Sequence, residues 1–347
     1  MKKSFAILTA CILLFSGCLS EDSRSYLTQE KAFNNSQNLY INAVAFLYGY
    51  IGGSGESQGL QGTCRGVYDY NTMTTDEALI PIRGGDWYDG GLWKNMYQHE
   101  WTATDATLYQ TWKYLYKVVM LCNQSLSDLD TYAYLATHEE IGQWKAEVRA
   151  IRALFYFYIM DMFGRVPLIT ETDIPVSEVV QSEKSEVMRF IYDEMTGALP
   201  YLANQRSNHE GRYYGRITKP VAWFLLAKLA LNAEVYSDDN WTDGNRPNGK
   251  DILFHVDGIE MNAWETCISY CDKLEAFGYI LEPVYSDNFL VKNENSRENI
   301  FTIPLDKNLY RNQFWYLFRS RHYSHGGAYG GASENGTCAT LHTMNVY

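Results

Sequence analysis

The chain has 347 residues, a formal charge of −12 at pH 7 and an aromatic share of 15%, with 28 tyrosines, 15 phenylalanines and 9 tryptophans. That length holds one large domain or two average ones. The acidic balance disfavours nucleic acid and anionic lipid surfaces as partners, because both repel it.

At the amino end, Lys2 and Lys3 precede an apolar run from Phe5 to Phe15 that is too short to span a bilayer, so residues 1–17 read as a signal peptide. The run closes on Ser16-Gly17-Cys18. Small residues directly before a cysteine resemble a lipobox, with Cys18 lipidated as the new amino terminus. Phe15 departs from the usual leucine, although Leu14 lies beside it. Residues 18–28 then form a tether, and such an anchor holds an otherwise soluble body at a membrane. Of the later cysteines (Cys64, Cys122, Cys267, Cys271 and Cys338), no tight spacing suggests a disulfide framework. Cys267 and Cys271 fall one helical turn apart without a second pair to complete a zinc site, so they are expected to be buried small hydrophobes.

In chain order, Leu39, Ala43, Phe46, Leu47 and Tyr50 predict a first helix over 29–50. Five glycines between Gly52 and Gly62 break it, and 51–103 reads as an irregular excursion too rich in tryptophan (Trp87, Trp93, Trp101) to be a linker. A second helix starts near Thr104 or Asp105, with a seam of Leu108, Trp112, Leu115, Val119, Cys122, Leu126 and Leu129. A third carries Trp144, Val148, Ile151, Leu154, Phe155, Tyr158, Ile159 and Met162 on one face. Glu139 and Glu140 mark its start, Gly164 is expected to end it in the left-handed conformation, and Pro167 cannot continue it. The short connection predicts that these two pack antiparallel. Further helices follow over about 183–202, from Thr218-Lys219-Pro220 to Tyr236, and from about 262 to Gly278, with a polar loop at 237–251. Glu298 to Pro304 reads as a short strand, and beyond it come loops rich in Tyr, His, Arg and Gly.

Consecutive helical hairpins suggest stacking of the tetratricopeptide kind. The third helix carries Arg149 and Arg152, then Phe163-Gly164-Arg165-Val166-Pro167-Leu168-Ile169-Thr170. This run resembles the signature helix of the SusD/RagB family of nutrient-binding outer-membrane lipoproteins of Bacteroidetes. The resemblance covers nearly the whole chain and implies a mostly α fold, a superhelix of helix pairs carrying a loop-rich ligand-binding region with minor β structure. Within a domain of residues 29–347, it divides the chain into a first helix and aromatic excursion (29–103), a helical-pair scaffold (104–280) and the start of a loop-rich region (281–347). Family members usually continue further, so a truncated product is expected. Ser20-Glu21-Asp22 resembles the acidic export signal of such lipoproteins, which implies an outer-membrane, surface-exposed location.

The chemistry is expected in two stretches. One runs from Arg83 through Gly84, Gly85, Asp86, Trp87, Tyr88 and Asp89 to Trp93, and the other from Tyr310 through Asn312 and Trp315 to His322 and Tyr323. A sugar presents a C–H face that an aromatic ring covers and a rim of hydroxyls that Asp, Asn and Arg satisfy. The resemblance implies an oligosaccharide or polysaccharide held on an aromatic arc, with Trp87 and Trp315 as its counterparts here, and delivery to a SusC-like TonB-dependent porin; binding by stacking and hydrogen bonds requires no cofactor, and no metal site is read from the residues. Two alternatives are a helical-repeat scaffold for peptide or protein and a glycoside hydrolase. Hydrolysis needs two carboxylates across a cleft. Asp86, Asp89 and Glu100 are available, yet carboxylates beside glycine turns more often cap backbone donors. Gly244 to Lys250 matches a phosphate-loop pattern but has Asp251 where the hydroxyl residue belongs and follows a helix. Asp238, Asp239 and Asp243 miss the calcium-loop spacing, and His322 and His325 lack a zinc context.

Overall fold

A computed structural model describes residues 29–53, 58–62, 65–305, 319–325 and 333–346. After a single helical turn at Gln29–Ala32, the first longer helix, α1, is Ser36–Tyr40 and Phe46–Gly52 joined through a π turn at Ile41–Ala45, and the Asn35 side chain caps it by accepting from Asn38 N at 2.9 Å. Two short helices, α2 (Val67–Met73) and α3 (Leu92–Gln98), lie within the excursion. The scaffold follows: α4 (Ala106–Thr131), α5 (His138–Phe163), α6 (Lys184–Ala198), α7 (Lys219–Leu231) and α8 (Ala263–Phe277). A last helix, α9, is Leu341–Val346. Among the described residues no helix is long and apolar enough to cross a membrane.

Capping boxes mark three of the scaffold starts. Thr137 and Glu140 make a reciprocal capping box on α5, as do Asn262 and Glu265 on α8, and each box satisfies two backbone donors that the first turn leaves open. Pro220 sits in the first turn of α7, where its missing N–H costs nothing. α4 folds back on α5, α5 packs on α6, and α7 pairs with α8. Helix α5 is the hub and is buried on more than the one face predicted, since Glu147 and Arg152 are buried as well. Arg152 Nη2 meets Glu194 at 2.6 Å and its Nη1 meets Asn123 at 2.8 Å. Arg149 reaches the same carboxylate at 2.9 Å. The arginine pair therefore ties α4, α5 and α6 together, Arg152 from the buried side and Arg149 from a partly exposed one.

Three expectations need correction. Gly164 takes φ 71° and ψ −109°, outside the left-handed helical region, because the chain turns there into β2 (Val166–Pro167), which pairs with β3 (Gln181–Ser182). Residues 298–304 form no strand, and Ile300, Phe301 and Ile303 pack against the core as irregular backbone. Cys271 is exposed and Cys267 half-buried, because only part of that seam faces α7. A hairpin of β4 (Leu253–Val256) and β5 (Ile259–Asn262) precedes α8, turning at Asp257-Gly258 with both residues at positive φ. The polar loop before it is not a phosphate cradle: the Gly249 N–H donates to Glu234 and Arg246 pairs with Asp238.

A second, smaller core stands apart from the helical one. Tyr70, Met73, Ile80, Trp93 and Met96 form it, with Trp87, Leu92, Leu108 and Met162 packed against it. It is closed by the carboxyl-terminal segment, where β1 (Ala78–Leu79) pairs antiparallel with β6 (Cys338–Ala339).

Candidate functional site

The site is built on that smaller core. Arg83 and Asp86 exchange both backbone hydrogen bonds, at 3.1 and 3.0 Å, so Gly84-Gly85 is a two-residue hairpin turn. Gly84 sits at φ 63°, which a side chain resists. The turn leaves Arg83 and Asp86 exposed, and Tyr88 beyond it is 59% exposed. Tyr323, 237 residues later in the chain, donates its hydroxyl to Asp86 Oδ2 at 2.8 Å. This bond and the nearby Asp86 and Glu334 charges push the Tyr323 phenol up from its ordinary value, while Arg83 opposes them. One cluster thus unites Arg83, Asp86 and Tyr323, with exposed His322 adjoining Tyr323 at 6.0 Å between ring centroids. Here the first stretch singled out in the sequence meets His322 and Tyr323, from the described end of the second.

Trp87 is half-buried and held in place. Its indole N–H donates to the Glu334 carbonyl at 2.8 Å, and its ring lies so close to Gly336 that a Cβ there would meet it at 2.8 Å. Trp93 stands edge-on to it, at 6.1 Å between centroids. Trp93 itself is only 2% exposed, which corrects its assignment as a ligand platform. It lies near the Arg65 and Arg319 guanidiniums, at 5.8 and 5.1 Å, and donates its indole N–H to Asp89 at 2.6 Å. Arg319 is in turn bonded to the fully buried Asp69. A ring so enclosed supports Trp87 and offers no face to a sugar.

Burial pushes the Asp89 carboxyl up, but hydrogen bonds from Trp93 and Arg65 outweigh it and hold the group below the ordinary carboxylate range. Asp89 borders a hollow of about 450 Å³ with Asn95 and Asp105 on its rim and Trp101, 42% exposed, at its edge. The ligand set read from the sequence left out Trp101, Asn95 and Asp105, although Trp101, like Trp87, is a tryptophan set among polar residues.

Strain is concentrated here. Of the six described non-glycine residues at positive φ, five (Arg65, Trp87, Asp89, His99 and Asn335) lie in the excursion or in the segment that closes it. Each such residue costs on the order of 1–3 kcal/mol and persists only where its surroundings impose it, which is common at ligand sites. Tyr310, Asn312, Trp315 and Cys18 lie outside the described residues. Among the described residues no group of three or more His, Cys, Asp or Glu side chains is placed to hold a metal ion.

Comparison with known proteins adds ancestry to this geometry. Residues 62–231 match the model of a SusD-like family described as starch-binding and associating with the outer membrane. A SusD-like protein of Bacteroides ovatus is 25% identical over 318 residues, 87% of this chain and 50% of its own length. The starch-binding protein SusD of Bacteroides thetaiotaomicron is 26% identical over 185 residues, 53% of this chain and 30% of its own. The chain therefore spans half or less of the length of these curated relatives. The fold is shared with solved structures: a SusD superfamily protein of Bacteroides vulgatus superposes with a TM-score of 0.67 at 16% identity, over 91% of this chain and 58% of that one.

Proposed function

Because the chain belongs to the SusD-like family, we propose that it is a glycan-binding lipoprotein of the outer membrane, anchored through Cys18 and exposed at the cell surface. It captures an oligosaccharide or polysaccharide without cleaving it and hands it to a SusC-like TonB-dependent porin. The observation that carries the reading is the hydrogen bond between Asp86 and Tyr323, which joins two aromatic and polar loops into one exposed rim. Trp87, Tyr88 and Tyr323 offer ring surface there, and Arg83, Asp86 and His322 offer hydrogen-bonding groups, the combination a sugar needs. Tyr310, Asn312 and Trp315 belong to the same proposed ligand set. No cofactor enters, since stacking and directed hydrogen bonds suffice for binding.

Hydrolysis fits the rim less well. A retaining or inverting mechanism needs one carboxyl held protonated as general acid and a second ionised across a cleft, and Asp89, held below the ordinary carboxylate range, does not supply the acid. The test combines calorimetry against a panel of soluble oligosaccharides with an assay for new reducing ends. Tyr88→Ala and Trp87→Ala are expected to weaken binding at least tenfold with helical content unchanged, and the wild type to release no reducing ends. Unchanged affinity in both variants overturns the site, and released reducing ends overturn the non-catalytic reading.

A peptide-binding scaffold is the second reading. It is favoured by an open cleft of about 1510 Å³ between α5, α7, α8 and residues 279–305, lined by Phe224, Leu225, Ile280 and Phe289. That exceeds the roughly 300–1,000 Å³ of small-molecule sites. A wild type that binds no glycan on the panel but does bind apolar peptides would favour it.

A further inference from the structure

Trp241 is 73% exposed, on the loop between a short helical turn at Ala233–Tyr236 and the β4–β5 hairpin. A tryptophan left in water forgoes a large burial gain, yet the loop that carries it is fastened rather than loose. On one side, the Asp239 carbonyl accepts from Arg165 Nη2 at 2.9 Å, and the Asp239 carboxylate accepts from the Ser185 N–H and hydroxyl at 2.9 and 2.6 Å. On the other, Arg246 bridges the loop, reaching Asp238 at 3.2 Å and donating to the Trp241 carbonyl at 2.9 Å. Thr242 donates to the Asn240 side chain at 2.7 Å, and the Asn240 N–H to Asp238 at 3.2 Å. The backbone on both sides of Trp241 is therefore ordered before any ligand arrives, which removes part of the entropic cost of binding. Among the described residues the indole N–H has no protein acceptor.

We propose that Trp241 is the stacking platform of a second carbohydrate subsite, on a different part of the fold from the rim of Asp86 and Tyr323; the proposal rests on the glycan-binding reading above. Exposed Asn240, Thr242, Asp243 and Asn245 stand on the same loop and bring donors and acceptors for hydroxyl groups. That setting suits a sugar better than a protein. The centre of a protein interface is depleted in charge, whereas Asp238, Asp239, Asp243 and Arg246 all lie within five residues of this ring. One ring on an open loop binds weakly alone. Its effect appears when one polysaccharide chain engages both subsites, so that the second contact becomes intramolecular.

The test compares the wild type, Trp241→Ala, Tyr88→Ala/Tyr323→Ala and the triple variant. Retention on a panel of insoluble polysaccharides, starch among them, is measured beside calorimetry with short soluble oligosaccharides. Trp241→Ala is expected to lower retention about tenfold, the scale of a lost bivalent contact, while leaving the oligosaccharide affinity at the first rim unchanged. Trp241→Phe is expected to restore most of the retention, and the triple variant to retain less than the double. Equal retention of wild type and Trp241→Ala overturns the second subsite while leaving the first intact. Loss of short-oligosaccharide affinity in Trp241→Ala overturns the separateness of the two. A wild type that binds nothing on the panel overturns the glycan-binding reading and this inference with it.

Discussion

The indole N–H of Trp93 donates to Asp89 Oδ2 at 2.6 Å, and the same oxygen takes Arg65 Nη2 at 2.9 Å. Through that oxygen the buried ring is coupled to the rim of the hollow and, through its edge contact, to Trp87. Trp93→Ala removes a ring 2% exposed and is expected to cost about 3–5 kcal/mol, as other buried aromatic truncations do. Urea denaturation reads that loss. Glycan affinity should fall too, because Trp87 loses its support, and unchanged stability would disprove the role given to Trp93.

Asp89 makes stability depend on pH in a defined direction. Its folded carboxyl loses the proton below the ordinary value of 3.8, so between the two values the unfolded chain binds more protons. The contribution is present above 3.8 and lost as pH falls through the folded value. Asp89→Asn should therefore flatten the acid limb of a stability profile below about pH 4. A limb as steep as in the wild type would contradict the coupling.

Arg319 and Asp69 form a buried pair across 250 residues of sequence. Arg319→Met strands the Asp69 charge and is expected to cost about 3–5 kcal/mol. Because the pair serves the smaller core, far-ultraviolet circular dichroism should keep its helical signal while tryptophan fluorescence shifts.

The two signature arginines should differ. Arg152 is buried and binds Glu194 through two nitrogens, so Arg152→Ala is expected to cost about 3–5 kcal/mol. Arg149 is partly exposed, and Arg149→Ala should cost about 1 kcal/mol or less. Paired denaturation curves check the ranking, and equal losses would refute it.

Gly336 tests the placement of Trp87. A methyl group there would lie 2.8 Å from the ring, so the indole must shift. Gly336→Ala is expected to weaken glycan binding more than it lowers Tm, and calorimetry beside thermal unfolding compares the two.

How far the chain could be read in advance depended on the range of the interaction. The scaffold starts were legible because caps and periodicity act within one or two turns: Asp105, Thr137, Glu183, Thr218 and Asn262 stand where the helices begin. The β4–β5 hairpin has the same kind of signal in Asp257-Gly258, a pair suited to a two-residue turn, in the stretch between the polar loop at 237–251 and the last scaffold helix that the sequence reading leaves unassigned. Residues 298–304 had the composition of a strand but found no partner to pair with.

The candidate site was legible only in part. Trp87 and Trp93 sit six residues apart in one glycine-rich run, and nothing local tells which ring faces water. The difference comes from Arg319 and Glu334, which reach back across more than 220 residues to enclose one ring and to hold the other by its N–H.

By itself the sequence determined the helical register, the caps, the family signature and which loops are rich in rings and hydrogen-bonding groups, because each follows from residues within a few turns of one another. Only the tertiary structure decided that Asp86 meets Tyr323, that Trp93 lies buried beside two guanidiniums and that Trp241 stands out in water. Burial and long-range pairing depend on which distant segments close over a side chain, and no short window of residues contains that information.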